Sequence, residues 1–279
     1  MDRISAVLIT KNEARNVERC LASLAPVADE IVVVDDFSSD DTVAICERLG
    51  ARVVRQAWLG FGPQKNLANG LARHAFVLSV DADEALDPFL QRAIAEAKAK
   101  GLAGAYQVSR LNWYYGRFIR HGLEHPDRKV RLFPREKVRW DESLVHEGLV
   151  FAEPLAVTRL DGHLLHYTYA RVEEHVAKAN RYTSLAAEDA FRRGARPSLV
   201  RMLLGPLAVV LKAYLLKRGF LDGLHGLVLA MLHAHATFQK HAKLWDLHRA
   251  ARAEREPASP SDPHPRRAPA PSPPPHGTT

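Results

Sequence analysis

The chain has only two cysteines, Cys20 and Cys46, with no spacing that suits a disulfide framework or a thiolate metal site. Both fall in stretches with helical periodicity and are expected as small core residues in a reducing compartment. Long apolar runs are also missing. The opening stretch MDRISAVLITKNE holds one strand-length apolar segment and no secretory h-region, so a cytoplasmic location is expected. Residues 199–216 are the most apolar, yet Arg201 and Lys212 interrupt them and Gly205-Pro206 is expected to break them. The uninterrupted part is about ten residues, well short of the roughly twenty that span a bilayer. Acidic residues are absent from 192 to 218, where Arg192, Arg193, Arg196, Arg201, Lys212, Lys217 and Arg218 stand among Leu, Val, Met and Ala. A nucleic-acid groove would mix polar and aromatic residues with its cations. This setting points instead to an interfacial helix pair on an anionic membrane, and no nucleic acid is expected as a partner. No GxGxxG follows the first apolar run, which argues against a dinucleotide-binding domain. The same place, LITKNEARN, lacks the glycine of a nucleotidyltransferase phosphate loop.

What is present is a globular composition, 47% hydrophobic and 25% charged, with net charge +7. At 279 residues the chain has room for one domain with an appendage, or for two domains. Apolar runs at 3–9, 31–34, 52–55 and 76–80 alternate with helical patterns, which predicts a parallel sheet flanked by helices. The helix after the first run sets Val17, Cys20, Leu21 and Leu24 on one face, with Asn12 as a candidate N-cap. In open α/β sheets ligands bind beyond the carboxyl ends of the strands. Those ends carry Thr10-Lys11-Asn12-Glu13, then Asp35-Asp36, then Asp81-Ala82-Asp83-Glu84. Carboxylates crowded in this way repel unless a cation lies between them, and a divalent ion bridging to a diphosphate would serve. The competing reading of 81–84 is an acidic turn before the helix that Asp87-Pro88 opens.

Beyond Gly101 the pattern changes. A strand is expected at 105–109, an aromatic loop at 112–117, a strand at 128–133 and another ending near Leu165-His166-Tyr167. Residues 140–148, WDESLVHEG, gather Asp141, Glu142, His146 and Glu147. About ninety residues of helical pattern follow. His225, His233, His235 and His241 in that region form no ligand pattern. The division expected is residues 1–168, a helical membrane-associating region 169–256, and a Pro-rich tail 257–279 without apolar bulk.

LITKNE, VVVDDFSSDDT, QKN, LSVDADE and VHE, in that order, resemble the inverting family 2 glycosyltransferases of the GT-A fold. Within them they resemble the branch of lipopolysaccharide inner-core β-1,4-glucosyltransferases. The likeness runs from about Ile4 to Tyr169 and continues more loosely through KRGFLDGLHG. It implies an α/β fold with a mixed, mainly parallel sheet flanked by helices, and a C-terminal helical appendage. It also implies transfer of a hexose, glucose first, from a UDP-sugar to a lipid-linked saccharide at the inner face of the cytoplasmic membrane. By matching positions, Asp36 would contact the nucleotide base, and Thr10, Asn12 and Glu13 would lie against the nucleotide. Asp81 would face ribose and metal, Asp83 would bind Mg²⁺ or Mn²⁺, and Lys65 would counter phosphate charge. Glu147 is the expected catalytic base, with Asp141 and Glu142 as alternatives. His166 is either a further metal ligand or a core histidine. Trp113, Tyr114 and Tyr115 could stack on an acceptor sugar, and Arg117, Arg120, Arg128 and Arg131 could meet its anionic groups. A non-catalytic membrane-anchoring module is the rival reading, and metal-dependent UDP binding would separate the two.

Overall fold

The computed structural model describes residues 2–141 and 148–255. They form two compact units. One runs to Arg120 and includes Glu124–Ala170, and the other comprises His121–Leu123 and the chain from Arg171.

In the first unit, β1 (Ile4–Thr10), β2 (Glu30–Asp35), β3 (Arg52–Arg55) and β4 (Phe76–Ser79) lie parallel in the order β3-β2-β1-β4. Successive residues of β1 serve opposite faces. Ile4, Ala6 and Leu8 meet α1 (Val17–Leu24) and α4 (Pro88–Lys100), whereas Val7 meets Val32, Val34, Val77 and Ala68 of α3 (Phe61–Leu71). Burial on both faces explains the unbroken apolar run. Val17, Cys20, Leu21 and Leu24 are all buried, as their spacing predicts, and α2 (Thr42–Arg48) follows β2. Asn12 does not cap α1. Its φ is 53°, the helix begins at Val17, and the Asn12 side chain accepts from Ser39 N at 2.8 Å. Asp87 caps α4 by accepting from Leu90 N at 2.7 Å, with Pro88 in the first turn.

Beyond β4 the sheet continues through β8 (Asp127–Pro134), β6 (Ala105–Tyr114), β11 (Val157–Tyr169) and β5 (Glu84–Leu86). Strands β8 and β5 run antiparallel to their neighbours and β11 runs parallel to β6, so the sheet is mixed and mainly parallel. The aromatic loop expected at 112–117 is instead mostly strand. Strand β6 continues to Tyr114 and turns through Tyr115-Gly116 into β7 (Arg117–Phe118). Tyr114 is buried against Tyr169 and Tyr115, so it packs the fold and presents no platform. A separate hairpin pairs β9 (Val138–Trp140) with β10 (Leu149–Phe151).

The second unit contains α5 (Val172–Arg192), α6 (Leu199–Val210) and α7 (Gly223–Arg255). Gly205-Pro206 does not break α6, which passes through Pro206 and runs on as a π-helical segment, Leu211–Leu216. Among the described residues, this is the one stretch long and apolar enough, by length and composition, to cross a membrane.

Candidate active site

Three strand ends build one rim. Register pairs Thr10 with Asp35 across β1 and β2, and Thr10 Oγ1 donates to Asp35 Oδ1 at 3.0 Å. Asp35 also accepts from Ser38 N at 2.8 Å, so this fully buried carboxylate folds the loop after β2. Asp36 is differently placed. Its Oδ2 accepts from Lys11 Nζ at 2.8 Å and its Oδ1 from Trp58 N at 3.1 Å, joining the loops after β1, β2 and β3. Glu13 N donates to Thr42 Oγ1 at 2.8 Å, and its carboxylate accepts from Asn16 at 2.8 Å. Burial pushes the Glu13 carboxyl above its ordinary value, and the negative charge of Asp83 adds to the rise. The loop after β1 therefore senses the acidic turn after β4.

That turn carries its own cations. Lys65 Nζ lies 3.0 Å from Asp81 Oδ1, and Arg131 Nη2 donates to Asp81 Oδ2 at 2.9 Å. The same Nη2 donates to Glu84 Oε1 at 2.7 Å, and Arg110 Nη1 reaches that oxygen at 3.2 Å. Glu84 Oε2 accepts from Asp81 N at 3.0 Å and closes the turn. Burial alone would raise the Asp81 carboxyl. Lys65 and Arg131 outweigh it and hold Asp81 well below the usual carboxylate range. The repulsion among crowded carboxylates is thus relieved for Asp81 and Glu84 by protein side chains. Arg131 is buried in this network and does not face an acceptor, contrary to the expectation from its basic strand.

Asp83 has a different neighbour. Register sets His166 of β11 beside Glu84 of β5 and Asn112 of β6, which brings His166 Nε2 within 3.3 Å of Asp83 Oδ2. Asn112 Nδ2 donates to the Glu124 carbonyl at 3.4 Å, which turns Asn112 Oδ1 toward the ring at 2.7 Å from Nδ1. Thr168 Oγ1 lies 3.1 Å from the same Nδ1, so two polar neighbours hold that edge of the ring while Nε2 faces Asp83. An imidazole held through its other nitrogen beside a carboxylate could hold a divalent ion. No set of three or more His, Cys, Asp and Glu side chains forms a cage among the described residues, so further ligands would come from substrate oxygens and water.

The β9 hairpin meets α3. The Asn66 side chain accepts from Trp140 N at 2.8 Å and donates to Trp140 O at 2.9 Å, pairing α3 with the strand end. Lys65 Nζ sits 4.5 Å from the centre of the Trp140 ring. Next in the chain, Asp141 N donates to Gly148 O at 2.9 Å. Glu142, His146 and the expected base Glu147 lie outside the described residues.

The profile of glycosyl transferase family 2 matches residues 5–148. The chain belongs to that family. An uncharacterized glycosyltransferase of Rickettsia bellii is 33% identical to this glycosyltransferase over 255 residues, covering 88% of this chain and 87% of that protein. The lipopolysaccharide core biosynthesis glycosyltransferase LpsC of Rhizobium meliloti is 30% identical over 254 residues, covering 86% and 93%. Among solved structures, S. aureus TarS 1-349, crystallised also with UDP and with UDP-GlcNAc, aligns at TM-score 0.44 and 16% identity, covering 89% and 92%. The fold is the GT-A architecture of a family 2 glycosyltransferase, and the enzyme class follows from the family.

In this glycosyltransferase the rim unites Thr10, Glu13, Asp36, Lys65, Asp81, Asp83 and His166 through the contacts above. Sequence reading missed Arg110, Asn112, Asn66 and Trp140. Each meets its partner across a span of chain that no motif covers, so spacing carried no sign of them. Glu84 was legible only as a third acid of the cluster. Its role as the shared acceptor for Arg131 and Arg110 depends on the β5, β6 and β8 pairings.

Proposed function

We propose that this glycosyltransferase moves a hexose, glucose in our reading, from a UDP-sugar to a lipid-linked saccharide such as the lipopolysaccharide inner core. Transfer would invert the anomeric centre, depend on Mg²⁺ or Mn²⁺, and take place at the inner face of the cytoplasmic membrane. The observation that carries this reading is the Asp83–His166 pair, 3.3 Å apart, on the rim that also holds Asp36 and Asp81. The likeness to LpsC over 86% of the chain supports the acceptor class.

Asp83 and His166 would hold the divalent ion, with Asp81 beside them toward the ribose. Bound there, the ion would neutralise charge gathering on the departing UDP. Asp36 accepts an N–H of the uracil, and Thr10, Asn12 and Glu13 line the nucleotide. Lys65 adds positive charge beside the diphosphate. On the opposite face of the sugar a carboxylate takes the proton of the acceptor hydroxyl as its oxygen bonds to C1 and the bond from C1 to UDP breaks. We assign this to Glu147, with Asp141 and Glu142 as the alternatives. A single displacement converts an α-linked donor to a β-linked product.

Purified full-length chain with Mn²⁺ and UDP-glucose is expected to release UDP, and Asp83→Ala to abolish the release. Electron paramagnetic resonance should show Mn²⁺ binding lost in both Asp83→Ala and His166→Ala. Full activity in Asp83→Ala would remove it from the metal role. Mass spectrometry of envelope glycolipids from a strain lacking the chain should show a missing hexose, and an unchanged profile would reject the acceptor assignment.

A further inference from the structure

The second unit displays a surface that the transfer chemistry does not use. Residues Leu199–Leu216 have a mean hydropathy of 1.8, yet only 6% of the stretch is buried. Helix α6 contains no buried residue. Leu199, Leu203, Leu207, Leu211 and Leu215, four apart, share one face, and each exposes more than half of its surface. The opposite face meets α7, where a Cβ added to Gly205 would lie 3.4 Å from Thr237 Cγ2. Eighteen helical residues extend about 27 Å. An uncovered apolar strip of that length exceeds what chains free of docking partners ordinarily leave in water.

Charge identifies the occupant. Arg201, Lys212, Lys217 and Arg218 are all exposed along the same stretch, and no acidic residue lies between Asp189 and Asp222. A second copy related by a twofold axis would set these cations against themselves. A spanning arrangement would place Arg201 and Lys212 within the hydrocarbon. It would also draw down α7, which packs along α6 and carries Lys240, Lys243, Asp246 and Arg249. A helix lying in the plane of an anionic bilayer meets both conditions, with leucines among the acyl chains and the long basic side chains reaching up to the headgroups.

We infer that the outward face of α6 and the π-helical segment after it dock the chain in-plane on an anionic lipid bilayer. The inference extends the membrane placement in the reading above, but it uses none of the rim residues.

Flotation of the full chain with vesicles of phosphatidylglycerol and phosphatidylethanolamine tests it, with pure phosphatidylcholine vesicles as the comparison. Binding is expected to the anionic vesicles and to weaken by about fivefold for each cation removed in Arg201→Ser, Lys212→Ser and Lys217→Ser. The combined variant Leu203→Gln, Leu207→Gln, Leu211→Gln should bind at least about tenfold more weakly. These leucines are exposed, so its circular dichroism and UDP affinity should match the parent. A parent chain that stays with the unbound fraction would overturn the proposal. So would a leucine variant that floats undiminished, or a parent dimer that the leucine variant converts to monomer. If the leucine variant misfolds, the serine series decides, and unchanged binding there overturns the proposal. UDP affinity is read separately, so failure of docking and failure of the donor assignment remain distinct.

Discussion

One nitrogen of Arg131 donates to both Asp81 and Glu84, so a single buried guanidinium compensates two carboxylates of the acidic turn. Removing one partner of a buried ion pair leaves the other charged and desolvated, at a cost of about 3–5 kcal/mol. Arg131→Met is therefore expected to destabilise the first unit by about that amount in urea unfolding, whereas a solvated arginine such as Arg128 should change it by less than about 0.5 kcal/mol when replaced. Titration gives a second expectation. The Asp81 carboxyl lies well below its ordinary value, so its contribution to stability is present above the unfolded-state carboxylate range and is lost as pH falls through the depressed value. Lys65→Met removes the largest of the lowering causes, so the acid loss of stability in thermal unfolding should become shallower. Glu13 has the opposite sign. Its raised pKa means that its contribution declines as pH rises through the folded value, so Glu13→Gln should flatten the stability profile just above the ordinary glutamate range. The acids of the rim were legible in the sequence because strand-ending carboxylates stand out in apolar surroundings. Their cations were not. Arg131 sits in a strand beside exposed Arg128 and Lys129, and only the pairing of β8 with β4 and β6 turns it inward.

Parallel strands and their helices could be read from periodicity, since β1, β2 and β4 are covered on both faces and show it as unbroken apolar runs. Elements with mixed surroundings were harder. Strand β6 was cut short at Ser109 because Arg110 and Asn112 are polar, yet both point at partners inside the fold, Glu84 and His166. Pro206 marked a break that does not occur, since the helix continues through it into the π-helical segment. The glycines of KRGFLDGLHG have a steric meaning. A Cβ on Gly226 would run into the Gly219 carbonyl oxygen, and Gly219 itself lies against the Ala213 backbone. Gly226→Ala should therefore lower the unfolding temperature of the second unit, while Gly70→Ala, with open space around it, should not lower that of the first. In the first unit the corresponding junction is Asn66. Its side chain makes two hydrogen bonds to the Trp140 backbone, and Asn66→Ala leaves both backbone groups without that partner. A loss of about 1–3 kcal/mol is expected. Because the β9 hairpin precedes the candidate base, kcat should fall more than the KM for UDP-glucose changes, which steady-state kinetics at saturating acceptor would show.

At the scale of the molecule, each of the two compact units has its own core, and they would respond differently to substrate. The first unit holds every rim residue and two large apolar clusters on either side of the sheet. The second holds Ala187, Ala190 and Leu244 together, with Lys243 donating to Asn180, Thr183 and Ser184 to fasten α7 to α5. A ligand stabilises only the species that binds it, by about 2.7 kcal/mol at a hundredfold excess over Kd. UDP with Mn²⁺ should therefore raise the unfolding temperature of the first unit and slow hydrogen exchange in β1, β2 and β4. Amides of α5 and α7 should exchange at unchanged rates. Heating without ligand is then a sum of two transitions, and a single apparent Tm would misstate the stability of both units. Differential scanning calorimetry with and without UDP and Mn²⁺, read beside exchange mass spectrometry, checks the expectation directly. Equal protection of both units on nucleotide binding would show that they unfold as one cooperative body. The destabilisation expected for Arg131→Met would then appear in the helices of the second unit as well.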